Sequence, residues 1–259
     1  MLKQSKETSI PLLSKFESSA LTEILAGWRA GLVVFIVAFA MIVSRRPDSI
    51  FNPQFYAEDG ATWFIQAYDL GAIKALFVTY AGYLHFFPRI FGGLAVALNI
   101  NLLHVPLFLN IIAIIAKIIP VLFFLSPRLP FSIVVKLYVS FLYLAMPAAW
   151  EVHANISNAY VHLALLSFLI LIARPASSRA GKIFDIGTLV LGALTGPFCI
   201  FLVPVAACCW YQRRERSDLI NGLTLVVFSF AQGILILQHR SSPSQIEPID
   251  SLLPLPEEF

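Results

Sequence analysis

Seven apolar runs recur along the chain, near residues 24–44, 86–103, 105–125, 131–147, 157–173, 184–211 and 219–237, each bounded by charge, proline or a polar cluster. So many long runs cannot share one water-soluble core, because too little polar sequence remains to cover them. Composition agrees: 58% of the 259 residues are hydrophobic and 13% charged, against about 45–50% and about 25% in soluble domains. The chain therefore reads as an all-α polytopic membrane protein surrounded by membrane lipids. A net charge of +3 would hint at nucleic acid in a soluble chain, but in a membrane protein it reports topology first, and no nucleic-acid partner is expected. Cys199, Cys208 and Cys209 lie in one apolar stretch with no histidine or carboxylate at ligand spacing. Neither a disulfide framework nor a zinc site is expected.

Residues 1–23 are too polar for the apolar core of a signal peptide and read as a cytoplasmic N-terminal segment. A membrane module over 24–237 and a polar Pro- and Ser-rich tail over 238–259 follow. If every run is one span, six basic residues flank the inside and eight the outside, against the positive-inside rule. The run 86–103, however, carries Pro88, Arg89, Asn99 and Asn101, which suit the outer interface, and 184–211 can break at Thr195-Gly196-Pro197 into two passes. Seven spans then remain, and ten basic residues lie inside against five outside. One span shrinks to about 12 residues, about 18 Å at 1.5 Å per residue. In return, a first outer loop (45–104) and a second (148–156) open on the same face.

In the first loop Glu58 and Asp59 are adjacent, and a short helix is expected over 61–69 with Trp63, Phe64, Ala67 and Tyr68 resting on the membrane surface. Asp59 suits a helix N-cap. It equally suits a base that takes a proton from a hydroxyl, or a ligand for a divalent metal that steadies a phosphate. Nearby stand Tyr80, Tyr83, His85 and Arg89, the last two being the first choices for a bound phosphate. Arg45 and Arg46 are expected to form a solvated collar, and Lys74 to be solvated.

In the second loop and the helix after it, Asn155, Asn158 and His162 fall at i, i+3 and i+7, one stripe if the helix begins near 155. Capping by Asn155 or Ser157 and interhelical bonding by Asn158 are the plainer roles. Glu151 and His153 can bind acceptor hydroxyls or be solvated. Asn155-Ile156-Ser157 matches a glycosylation sequon, discounted for its closeness to the membrane. Lys117, in mid-span, is expected to snorkel in a structural role. No phosphate loop, Rossmann fingerprint, serine elbow or CxxC occurs.

Taken together, NPQFYAEDG, YAGYLHFFPR, NISNAYVHL and LGALTGPFCIFLVPV resemble the GT-C superfamily of integral-membrane glycosyltransferases. The resemblance covers about 24–237, although members usually continue with more spans and an outer domain, and several have Asp-Glu where this chain has Glu-Asp. It implies transfer of a sugar from a polyprenyl-phosphate carrier to a glycan or lipid acceptor outside a bacterial inner membrane. It also implies Asp59 as base or acceptor-orienting acid with Glu58 beside it, and basic side chains such as Arg89 holding the carrier phosphate. No cofactor is required, though a divalent metal bridging Glu58 and phosphate fits the same acids. A non-catalytic carrier binder or small-molecule transporter, an inactive truncated copy and a structural membrane subunit are the alternatives.

Overall fold

The computed structural model describes residues 27–147 and 150–241; the first 26 residues and the tail beyond 241 lie outside them. Among the described residues the chain is helical, with one isolated bridge between Tyr80 and Tyr83 and no strand. The longer helices are α1 (Trp28–Arg45), α2 (Phe86–Ala97), α3 (Val105–Leu125), α4 (Ile133–Ala145), α5 (Ala159–Ile172), α6 (Arg179–Thr195), α7 (Phe198–Arg213) and α8 (Arg216–Ser241). The stretches Trp28–Arg45, Leu102–Leu125 and Arg216–His239 are long and apolar enough to cross a membrane, and α2, α4, α5 and α7 are shorter apolar helices.

Local chemistry sets these boundaries. Pro106 pre-sets the first turn of α3, where no helical N–H partner is needed. Ser132 and Ser178 cap α4 and α6 by accepting the amides of Val135 and Gly181. The run 184–211 is two helices, because Gly196 is extended and Pro197 cannot continue the α6 ladder. The run 86–103 is a single 12-residue helix followed by a turn at Leu102–His104, where the Asn101 side chain accepts the Leu103 amide.

In an apolar medium the last carbonyls of a helix need donors from elsewhere in the protein. Cations supply them here. Lys136 Nζ donates to the Ser126 carbonyl just past α3 at 2.8 Å, and Arg45 donates to the Leu144 and Met146 carbonyls at the end of α4, both at 2.7 Å. Arg213 donates to the Leu171 and Ala173 carbonyls at the end of α5 while pairing with Asp218. Arg128 grips Asp185 through both terminal nitrogens at 2.7 and 2.6 Å. Arg45 is thus a cap as well as the exposed collar its sequence position suggests. Arg46, by contrast, is buried and not solvated as expected, donating to the His153 carbonyl at 2.5 Å.

The central helices α3 and α5 carry most of the core. Ile114 and Ile118 pack with Ile42 of α1, Leu109 and Ala113 pack with Trp63 and Ala159, and Leu166 and Ile170 pack with Leu189 of α6. Helix ends gather in two groups. One joins Arg128 to Arg174 and Asp185, and Arg213 to the end of α5. The other joins Arg46 to His153, Asp59 to Ser157, Phe87 to Thr195, and Gly82 to His239 at the end of α8.

Helix α2 packs on the segment that carries Asp59 through Gly92, where a Cβ would stand 2.5 Å from the Trp63 carbonyl oxygen and 2.8 Å from its carbon. Because the obstacle is backbone, relief requires a main-chain shift. Gly92→Ala is expected to cost about 1–3 kcal/mol, the usual penalty of overpacking, read as a lowered melting temperature in detergent.

Candidate functional site

Asp59 opens a wide π-type turn, Asp59–Phe64, which continues as the helix Ile65–Leu70. Such wide turns are frequent at functional sites. The amide of Asp59 donates to the Tyr56 carbonyl at 3.0 Å, and its carboxyl does not cap the turn. Instead Oδ1 accepts the Ser157 hydroxyl at 2.6 Å, and the same hydroxyl oxygen accepts the Trp63 indole N–H at 2.7 Å. Asp59 is 1% exposed. Burial pushes its carboxyl up to about 6; the Ser157 hydroxyl opposes that rise, and the neighbouring Glu58 charge adds to it. The face bearing Trp63, Phe64 and Ala67 is buried in protein, and Tyr68 is exposed. That corrects the expected surface-lying helix: α2 and α3 cover the face that lipid was expected to cover.

The turn Tyr80-Ala81-Gly82-Tyr83 has positive φ at both central residues, 49° and 88°, and closes with Tyr80 N to Tyr83 O at 2.9 Å and Tyr83 N to Tyr80 O at 3.1 Å. A tight two-residue turn of this hand needs positive φ at both positions, which glycine adopts without penalty. It sets the two phenols beside His85. Tyr83 stacks on that imidazole with ring centroids 3.9 Å apart, Trp63 lies 4.8 Å away and Tyr80 5.6 Å. The Tyr80 hydroxyl donates to Glu58 Oε1 at 3.4 Å. Burial raises the titration of both phenols. Burial and the Arg89 guanidinium hold His85 down at about 4, so it is neutral, and neither ring nitrogen has a hydrogen-bond partner.

Arg89 is fully buried against the Trp63 ring at 5.0 Å. Its Nε donates to the Leu84 carbonyl at 2.9 Å, and Nη1 donates to Gln66 Oε1 at 2.8 Å and to the Ala75 carbonyl at 2.9 Å. Only Nη2 is unpartnered. The guanidinium expected to hold a phosphate is therefore spent largely on pinning the first polar segment.

Helix α5 begins at Ala159, so Asn155 precedes it and the three-residue stripe does not form. Asn155 and Asn158 both donate to the Glu151 carbonyl at 2.9 Å, and Asn155 Oδ1 accepts the Ser157 amide at 2.8 Å, which orients the Ser157 hydroxyl. His162 has both ring nitrogens engaged, by the Tyr143 hydroxyl at 2.7 Å and the Val152 carbonyl at 3.0 Å. Glu58, Asp59, Tyr83 and His85 thus form one cluster, while His162 belongs to a second with Tyr143.

Sequence reasoning missed Ser157 as the partner of Asp59 and misread Lys117. The lysine does not snorkel: it is 1% exposed, with Nζ 2.8 Å from His153 Nδ1. His153 itself is buried, not solvated. The adjacency of Ser157 to two asparagines was the available signal, but only a contact 98 residues distant in sequence gives it a role.

Among the described residues, four of the six non-glycine residues with positive φ, Ala57, Ala81, His85 and Ala154, flank this junction. Strained backbone of this kind concentrates at functional sites. Among the described residues no three His, Cys, Asp or Glu side chains gather as a metal site. Chemically, the arrangement offers a desolvated carboxyl beside a partly exposed one, walled by aromatic rings. Comparison of the chain with family models, with curated proteins and with solved structures returns no match.

Proposed function

We propose that the protein is an integral-membrane glycosyltransferase of the GT-C kind, moving a sugar from a polyprenyl-phosphate carrier to an acceptor hydroxyl on the extracytoplasmic side of a bacterial inner membrane. In this reading α1 and α3 to α8 make seven crossings, α2 lies near the outer interface, and the group of helix ends around Asp59 faces outward. Helices α4 to α7, of 13 to 17 residues, are short for a hydrocarbon core of about 30 Å. Locally thinned lipid accommodates them.

The observation that carries the reading is the Asp59 carboxyl, buried, bonded by Ser157 and raised to about 6 where the two polar segments meet. A base of that strength ionises near neutrality and can receive a proton from an acceptor hydroxyl. The acceptor oxygen bonds to the anomeric carbon as the bond to carrier phosphate breaks. The proton goes to Asp59, polyprenyl phosphate departs and the anomeric centre inverts. Glu58, Tyr83, His85, Asn155, Asn158 and His162 are the proposed surroundings of donor and acceptor, either in contact or holding the segments that make contact. An apolar groove between α1, α3 and α4, lined by Val33, Val37, Met41, Leu125 and Leu144, offers room for a hydrocarbon chain.

The test is purified protein in liposomes with polyprenyl-phosphate sugars and candidate acceptors. Transferred sugar together with released polyprenyl phosphate is expected. The rate in Ser157→Ala should reach half-maximum at a higher pH than wild type, since the removed hydroxyl lowers the Asp59 titration. Carrier binding without turnover would replace this reading with a non-catalytic carrier binder.

A further inference from the structure

The polar segment from Glu151 to Asn158 touches the Asp59 site at one end and a buried amine at the other. His153 Nε2 stands 3.2 Å from the Ile42 carbonyl, which can only accept, so the ring proton sits on Nε2 and Nδ1 must accept from Lys117 Nζ. The same logic gives His162 a proton on Nε2 for the Val152 carbonyl and leaves Nδ1 to accept from Tyr143. Each imidazole therefore bridges a helix-borne donor, Lys117 of α3 or Tyr143 of α4, to a main-chain carbonyl. Arg46 adds a third tie through the His153 carbonyl. Four residues after His153 comes Ser157, the hydroxyl bonded to Asp59.

We propose that Lys117 and His153 form a positioning pair that fixes the second polar segment to α3 and so holds the Ser157 hydroxyl on Asp59. The inference rests on the reading of Asp59 as the base, but the placement of the segment is testable without it. A lysine this deep in an apolar helix is costly to keep, and it bonds to a ring in the segment that reaches the site. The pair acts through position alone, since neither side chain is bonded to Asp59. Facing it are Arg45 and Arg46 from α1, Tyr143 from α4 and His162 from α5. Among these groups there is no carboxylate to replace the imidazole as acceptor for the lysine.

The experiment uses the full chain in liposomes carrying Cys208→Ser and Cys209→Ser, with Ile156→Cys as reporter and the native, buried Cys199 as internal control. Labelling by a water-soluble maleimide is resolved at the two thiols by peptide mass. Lys117→Met is expected to raise the labelling rate at position 156 by about tenfold or more, as local opening of one segment would, while Cys199 stays protected. Lys117→Arg, which keeps a nitrogen donor for Nδ1, should return position 156 toward the wild-type rate. In the transfer assay Lys117→Met should lower kcat by up to about 100-fold with little change in KM, the signature of a displaced catalytic group. Unchanged labelling at 156, or equal exposure of 156 and Cys199, overturns the positioning role. Selective exposure of 156 in a protein whose wild type transfers no sugar upholds the pair and removes the transferase reading alone.

Discussion

Asp59→Asn is expected to abolish sugar transfer and at the same time to stabilise the protein at neutral pH. Loss of a general base lowers rates by about 10²–10⁴-fold, and asparagine keeps an oxygen for the Ser157 hydroxyl, so the site stays assembled. The stability gain follows from the raised titration. In the folded chain the carboxyl ionises near 6, against 3.8 for the free side chain, so folding holds the proton more tightly than unfolding does. The favourable contribution is complete below about 4 and is lost as pH rises through about 6. Above that, the buried charge costs about 3 kcal/mol at about 1.4 kcal/mol per pH unit. Thermal unfolding at pH 8 should therefore favour the variant, and the difference should vanish near pH 4. A wild-type transfer rate that climbs with pH and levels off above about 6 completes the signature. Retained turnover in Asp59→Asn would remove the proposed base.

Arg89→Ala is expected to unravel the first polar segment. Truncation strips the donor from the Leu84 and Ala75 carbonyls and from Gln66, and each buried acceptor left unpaired costs about 1–3 kcal/mol. Together with the lost stacking on Trp63, a penalty of about 3–5 kcal/mol is expected, within the range for breaking a buried ionic network. Arg89→Lys should recover little, because one ammonium cannot reproduce the planar fork. Melting temperature and the onset of proteolysis between Gln66 and Leu84 measure this. A surface phosphate clamp behaves oppositely: its removal leaves melting unchanged and weakens donor binding alone.

What could be read in advance was local. Apolar runs, the glycine and proline at 196 and 197, and the polar character of the segments around Asp59 and Asn155 are properties of neighbouring residues. What could not be read were the partners. Trp63 and Phe64 look like a membrane-resting face until α2 and α3 cover them, and Lys117 looks like a snorkelling side chain until His153, 36 residues later, offers a lone pair. Arg45 appears to end α1, yet its guanidinium serves carbonyls about a hundred residues on. The supposed helical stripe failed for a nearer reason: Asn155 and Asn158 both turn to the Glu151 carbonyl, which delays the helix start to Ala159.

The contact between Gly82 and His239, where a Cβ on the glycine would come within 3.3 Å of the imidazole, bears on how the protein is made. The turn that presents Tyr80 and Tyr83 leaves the ribosome more than 150 residues before His239, near the end of α8, arrives beside it. Until then the turn lacks that neighbour, so a nascent chain halted before α8 carries it uncovered. Assembly of the candidate site thereby becomes a late event in biogenesis, coupled to completion of the bundle and not to emergence of the acids themselves.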